Sequence, residues 1–400
     1  MKIVFLMQGF FDEVEYQENL LLKYYEMFGH EVHVITSTNT SILDFVTDRH
    51  DKGAGERTYS LGAATIYRLR HTINLFHRLY RFPDITPILE EIKPDLIFAH
   101  NLMLNTSECV RYVRRHPECK MILDYHGDYS NTGTNWLSLK ILHRVILKRV
   151  LDQARPHLSR IFPITPASEK FLNAVYGVPH AEMEVLPLGA DMEAVRRIRA
   201  SGARETLRER YKITPDTVVI FTGGKLIPIR QTEILIDAVK KLSQHKVHLV
   251  IVGEAPAKHK AYKAMLKERV DGRGNIQFVG WLSPEEIYRH YALSDIAVFP
   301  AAQSILWQQA ISMGLPLVVG DLAKGLQDVS YLNFHGNILI ADQTQPLEVA
   351  ILAMVETLIE DESLRKKMAA GADQVAAELL DWNVLIHRTL RFNAPNRSNS

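Results

Sequence analysis

Cysteine is nearly absent from this chain, with only Cys109 and Cys119 in 400 residues. Two thiols cannot supply a disulfide framework, so the fold must rest on packed cores, and a reducing, cytoplasmic compartment is the expectation. An excess of one charge is also missing, because 47 Lys and Arg stand against 46 Asp and Glu. That balance removes the basic footprint by which a nucleic-acid-binding protein is recognised. No apolar run is long enough to span a bilayer. The opening MKIVFLM is short and runs into acidic residues rather than a small-residue cleavage site, so it reads as a first strand, not a targeting segment. Short-period repeats and low-complexity segments are absent as well. No G-x-G-x-x-G follows the first strand and no G-K-[ST] closes the later glycine loop, which argues against a dinucleotide site and a P-loop.

What remains is a globular composition, 46% apolar and 23% charged, on a chain long enough for about two domains. Apolar runs bounded by turns alternate with helical patterns from end to end, the pattern of an α/β protein with parallel sheets. In the first half, strands are expected at 2–6, 31–36, 64–68, 95–99, 120–125, 160–164 and 183–187, with a helix over 16–28 closed by Gly29. The polar, charged stretch 191–216 reads as a helical linker. From Thr217 the pattern starts again, with VVIFTGG, HLVIVG, NIQFVG, DIAVFP, PLVVGD and GNILIA as six further strands. The expected architecture is therefore two doubly wound Rossmann-like domains, 1–190 and 217–375, facing each other across a cleft. A terminal segment, 376–400, would pack back toward the first domain. Open α/β sheets bind ligands at the carboxyl ends of their strands, and the candidate residues gather there.

The stretch DIAVFPAAQSILWQQAISMGLPLVVGD, Asp295 to Asp321, is a strand, a loop, a helix beginning near Gln303, a break at Gly314 and Pro316, and a second strand. The free N–H groups and positive dipole end of such a helix suit an anion. FTGGKLIPIR delivers Gly223 and Gly224 from a strand, with Lys225 next and Arg230 before a helix; two cations on a glycine-started loop can neutralise a diphosphate. A solvated loop is the alternative. Gly253 and Glu254 end one strand, and Glu254 either meets a ligand or caps the next helix. Gly280 ends another, where backbone groups around Trp281 can read a base edge; a core position suits Trp281 better than a stacking platform.

In the first half, His126 and Asp128 follow a buried strand in a loop rich in small polar residues, with Ser130, Asn131 and Gly133 behind them. Ligand contact and structural hydrogen bonding both fit His126. His100 and Asn101 end the preceding strand on the same expected floor. Glu13, Glu15 and Glu18 at the first helix's start complement its dipole. Two basic stretches favour a lipid-linked acceptor and peripheral membrane contact. One is SLKILHRVILKRV, with Lys140, Arg144 and Lys148 at i, i+4 spacing, for which a solvated face packing leucines inward is the plainer reading. The other gathers Arg68, Arg70, His77, Arg78 and Arg81 around Leu75, Phe76 and Tyr80.

Taken in order, these motifs resemble the retaining, nucleotide-sugar-dependent glycosyltransferases of the GT-B fold, the family that includes sucrose synthases and bacterial mannosyltransferases. Gly29-His30-Glu31-Val32 is similar to the family's G-H-x-V, PLGAD at 187–191 to its P-N-G-x-D, and FTGGKL…R to its diphosphate clamp. LVIVGEAP, IQFVG, SDIAVFP and the A-x-x-x-G-x-P run ending at Pro316 follow in the family's sequence. The resemblance implies hexosyl transfer from a nucleoside diphosphate sugar to a saccharide or lipid-linked acceptor, with retention, no metal and no other cofactor. It implies that Lys225 and Arg230 stabilise the leaving diphosphate, with His126 at the donor sugar or acceptor. Gly223, Gly224, Gly253, Glu254, Gly280, Trp281, Gln303, Ser304 and Gln309 would hold the donor, and His100, Asn101 and Asp128 would lie on the acceptor side. The chain departs from the family where Asp12 and Glu13 replace a glycine pair. It departs again where Gln309, and Ala301 or Gln303, replace two glutamates. A silent relative kept for binding or scaffolding is the alternative.

Overall fold

The computed structural model describes residues 1–12, 16–40, 55–75, 78–129, 131–132, 135–301, 304–320, 329–341 and 344–391. The chain divides into two compact units, one made of Met1–Pro187 with Leu385–Ser400 and the other of Leu188–Val384.

The first unit is built on strands β1 (Lys2–Met7), β2 (Glu31–Ser37), β3 (Arg57–Leu61), β4 (Ala64–Leu69), β7 (Leu96–His100), β8 (Lys120–Tyr125) and β9 (Arg160–Pro163). They lie in the order β3-β4-β2-β1-β7-β8-β9, all parallel except the edge pair β3 and β4. A small hairpin of β5 (Ile73–Leu75) and β6 (Leu79–Arg81) stands apart from the sheet. Central strands read as continuous apolar runs because both faces are covered. In β1, Val4 and Leu6 face one cluster with Ile97 and Leu123, while Phe5 packs on Tyr25 of the helix Gln17–Met27 from the other side. The period of two that sorts these residues also points His100 and Asp124 to the helix Gln17–Met27 side.

The second unit holds β10 (Val218–Gly223), β11 (Val247–Val252), β12 (Ile276–Gly280), β13 (Ile296–Phe299), β14 (Leu317–Val319) and β15 (Ile338–Ile340), ordered β12-β11-β10-β13-β14-β15 and all parallel. Val219 and Phe221 face Tyr291 and Trp307, whereas Ile220 between them faces Leu235 and Val239. Strand order reverses beside β1 in one sheet and beside β10 in the other, the switch points where open α/β sheets bind ligands.

Several expectations need correction. Residues 183–187 form no strand and contribute one isolated bridge, Ile161 to Met183. The charged stretch 191–216 is not a linker; its helices Met192–Arg199 and Ala203–Tyr211 bury Ala194, Val195, Ile198, Ala203 and Leu207 in the second unit's core. Arg196, Arg197, Arg199 and Arg210 are exposed on the outer faces, whereas Arg204 and Arg208 pair with Asp295. The helices continuing through Leu380 also belong to the second unit, and the chain rejoins the first unit at Leu385. There Arg388 Nε donates to Glu184 Oε1 at 2.7 Å and Nη2 to the Val185 carbonyl, while Thr389 is hydrogen-bonded to Tyr25. The segment read as an amphipathic α-helix over 138–150 is a π-helix, Ser138–Leu147, continued by an α-helix, Lys148–Ala154. The second basic patch is only partly a surface, since Arg70, Leu75 and Arg78 are exposed but other members are not. Arg68 is wholly buried, donating to the carbonyls of Phe10, Ser37 and Asn39 and to Asp12, and Tyr80 is buried too. Arg81 pairs with buried Glu108 at 2.5 Å, and Phe76 and His77 lie outside the described residues.

Candidate functional site

In the first unit, the carboxyl ends of β7 and β8 carry a buried polar cluster. Asp124, the penultimate residue of β8, accepts from His100 Nδ1 at 3.0 Å, His126 Nε2 at 3.1 Å and Gln17 Nε2 at 3.3 Å, all on Oδ2. His100 Nε2 lies 3.1 Å from Glu18 Oε1, so one imidazole bridges two carboxylates. Burial alone would push the His100 pKa down and both carboxylates up. The mutual pairing outweighs it: His100 is raised, and Asp124 and Glu18 are held below their ordinary values. His100 is thus an imidazolium at neutral pH. The His126 ring stands edge-on to it at 4.4 Å between centroids.

Asn101 holds the geometry. It adopts a left-handed φ of +62°, which Asn tolerates better than most residues, and its Oδ1 accepts from the His126 N–H at 2.8 Å. Asp128 serves the loop itself, exchanging hydrogen bonds with Asn131 through both backbone N–H groups. His100, Asn101 and His126 therefore come together as expected for one floor, while Asp128 is engaged beside it. Ser130 and Gly133 lie outside the described residues. Sequence reading missed Asp124, Gln17 and the pairing role of Glu18. The available signal was a single acid inside the apolar run KMILDY, two residues before His126 and so on the same side of an extended chain.

In the second unit, glycines let three strand ends interlock. Gly224 donates to the Val252 carbonyl at 3.0 Å, Gly253 to Gly280 at 2.7 Å, and Leu226 to Glu254 at 3.0 Å. A methyl placed on Gly253 would lie 1.9 Å from the Gly224 carbonyl oxygen, and Gly253 has a φ of +124°, so only glycine fits. Gly223 is covered less tightly, with Leu306 of the helix Leu306–Ser312 lying 3.2 Å from where its methyl would be. Arg230 lies over Gly224, its Cζ 3.8 Å from the same construction there. Lys225 follows at once; partial burial, then Arg230 and Lys258, lower its pKa. Lys258, unnoticed in the sequence, is a third cation acting on this loop.

The other donor-side residues divide. Glu254 is exposed and paired with Lys263 of the following helix, while Gly280, at φ +78°, turns the chain outward and leaves Trp281 61% exposed. The expected core position for Trp281 is therefore wrong. Ser304 precedes the helix and its Oγ accepts from the Leu306 N–H at 3.4 Å. Gln309 is buried, and its Oε1 accepts from Tyr291 Oη at 3.4 Å. Gln303 lies outside the described residues.

Comparison with known proteins gives this arrangement its class. A family model described as glycosyl transferases group 1 matches residues 216–359, and one described as glycosyltransferase family 4 matches residues 19–194. Each half of the chain thus matches a glycosyltransferase family model. It is 27% identical over 141 residues to the lipopolysaccharide 1,2-N-acetylglucosaminetransferase of Salmonella typhimurium, covering 33% of this chain and 36% of that one. It is 24% identical over 223 residues to the D-inositol 3-phosphate glycosyltransferase of Xylanimonas cellulosilytica, covering 52% of each. The matched part thus spans only a third to a half of these curated relatives. Among solved structures, HepE of Anabaena in complex with UDP and glucose superimposes with a TM-score of 0.65 at 17% identity, over 98% of this chain and 99% of that one. WaaG, a glycosyltransferase involved in lipopolysaccharide biosynthesis, gives 0.63 at 15% identity, over 97% and 98%. These likenesses establish the GT-B fold.

Proposed function

We propose that the protein transfers a hexosyl group from a nucleoside diphosphate sugar to a carbohydrate or lipid-linked acceptor, with retention and without a metal. The observation that carries this reading is the interlocked glycine loop of the second unit, over which Arg230 lies and which runs directly into Lys225. Backbone that close, with cations converging on it, suits a diphosphate leaving group, and the positive charge is of the kind a divalent ion would otherwise bring. HepE was solved with UDP and glucose, which supports the donor class. In the first unit, the imidazolium of His100 keeps Asp124 anionic, and Asp124 in turn orients His126, whose partly exposed ring is the group available to a sugar hydroxyl. Lys225→Ala and Arg230→Ala are each expected to lower kcat/KM by about 10- to 100-fold, through loss of charge-assisted contacts at the leaving group. Unchanged transfer in both variants would remove those residues from the mechanism, and transfer abolished by a chelator and restored by a divalent ion would remove metal independence.

A second reading, a binding protein that has lost turnover, is favoured by Gln309. It stands where the family places a glutamate, and its side chain is taken up by Tyr291 in the core. Calorimetry with a panel of nucleoside diphosphate sugars separates the two, since a scaffold is expected to bind none.

A further inference from the structure

The first unit carries apolar side chains on the outside of a regular helix. Trp136, Leu137, Ile141 and Val145 are 69, 56, 44 and 54% exposed, the last three at i, i+4, i+8 spacing along the π-helix Ser138–Leu147 and the residue before it. The inward side of this helix is already filled, because Ser138, His143, Leu147, Val150 and Leu151 are buried. The exposed apolar row is therefore a second hydrophobic face, left uncovered by the described residues. Lys140, Arg144 and Arg149 are exposed beside it, and no acidic residue occurs between Asn135 and Leu151. Among the described residues none of the three has a salt bridge, whereas Lys148 is spent on Asp152 and the Tyr176 carbonyl.

We propose that this face docks on an anionic phospholipid bilayer, with Trp136, Leu137, Ile141 and Val145 entering the interface and Lys140, Arg144 and Arg149 meeting the headgroups. A tryptophan and aliphatic row flanked only by cations is what a membrane surface with negative charge selects. A second copy of the chain fits worse, because a two-fold pairing would bring the same unpaired cations against each other. A polynucleotide leaves the aliphatic row unexplained.

The helix is also tied to the candidate site. On its buried side, His143 Nδ1 lies 2.6 Å from Tyr176 Oη and Nε2 3.1 Å from Thr132 Oγ1, and Ser138 Oγ donates to the Thr132 carbonyl at 2.7 Å. Thr132 in turn donates to the Asp128 carbonyl at 3.0 Å, in the loop that begins at His126. If the acceptor is lipid-linked, as the proposed function allows, docking here would hold that loop at the surface from which the acceptor arises.

The test is co-sedimentation of the full-length protein with vesicles of phosphatidylcholine containing phosphatidylglycerol, against phosphatidylcholine alone. The intact protein is expected to partition onto the anionic vesicles and to lose that binding as salt is raised. Lys140→Glu with Arg144→Glu is expected to lower partitioning at least about tenfold. Leu137→Ser with Ile141→Ser is expected to lower it while leaving the melting temperature in place. Absence of binding to anionic vesicles, partitioning unaltered in both variants, or a concentration-dependent dimer disrupted by them would each overturn the proposal. Calorimetric binding of nucleoside diphosphate sugars, measured without vesicles, tests the glycosyltransferase reading separately. Vesicle-binding variants that keep donor binding isolate the docking face, and loss of donor binding in intact, vesicle-competent protein would fall on the catalytic reading alone.

Discussion

At the scale of single residues, two histidines of the first unit are shifted in opposite directions by opposite surroundings. His143 is buried against Tyr176 and Thr132, and desolvation, with Arg78 adding to it, lowers its pKa to about 4. His100 would be lowered by its burial too, but Asp124 and Glu18 raise it to about 10. A depressed histidine contributes stability that is complete above its unfolded value near 6.5 and lost as pH falls toward 4. A raised one contributes stability that is complete below 6.5 and lost as pH climbs through 10. Urea unfolding of the first unit is therefore expected to weaken on both sides of neutrality, by at most about 1.4 kcal/mol per pH unit for each group. His100→Gln should flatten the alkaline limb and His143→Gln the acid limb; limbs that survive these changes would refute the assignment. His126, His100 and Asn101 were legible as site candidates because they end buried strands. Asp124 was not, since a lone acid in an apolar strand looks like noise until the neighbouring imidazoles that neutralise it are known.

Strands were the most legible elements, because parallel strands covered on both faces must be apolar throughout. The range 120–125 agrees with β8 residue for residue, and β13 and β14 lie within DIAVFP and PLVVGD. The π-helix was invisible, since its hydrogen-bond step differs from the α-helical one by a single residue and leaves much the same amphipathic pattern. The stretch 191–216 misled through composition: arginines dominate the count while a few small and aliphatic residues decide the packing. Glycines at strand ends were legible as a loop, but their reason was not. Gly253→Ala would force a methyl into the Gly224 carbonyl at an unfavourable φ, and a destabilisation of about 2–4 kcal/mol is expected in the urea midpoint, together with loss of donor binding. A stable, donor-competent Gly253→Ala protein would show that the close approach is dispensable.

For the whole molecule, the two-unit plan was readable from the restarted strand pattern, and the expected end of the first domain at 190 and return of 376–400 lie close to the observed borders at Pro187 and Leu385; what composition hid is that 191–216 and the helices through Leu380 pack in the second unit. Arg388 joins the returning segment to Glu184 and Val185. Arg388→Ala is expected to cost the first unit about 1–2 kcal/mol while leaving the second unit's transition unchanged. An equal shift in both transitions would contradict this. The discontinuity also sets an order of events on the ribosome. The second unit is one uninterrupted stretch and can complete itself as soon as it emerges, whereas the first unit, although synthesised first, waits for its last piece until the second has been made. Chains truncated at Val384 and released should therefore be cut by protease within the first unit and spared in the second. Protection of the first unit should arrive only when the segment bearing Arg388 and Thr389 clears the exit tunnel.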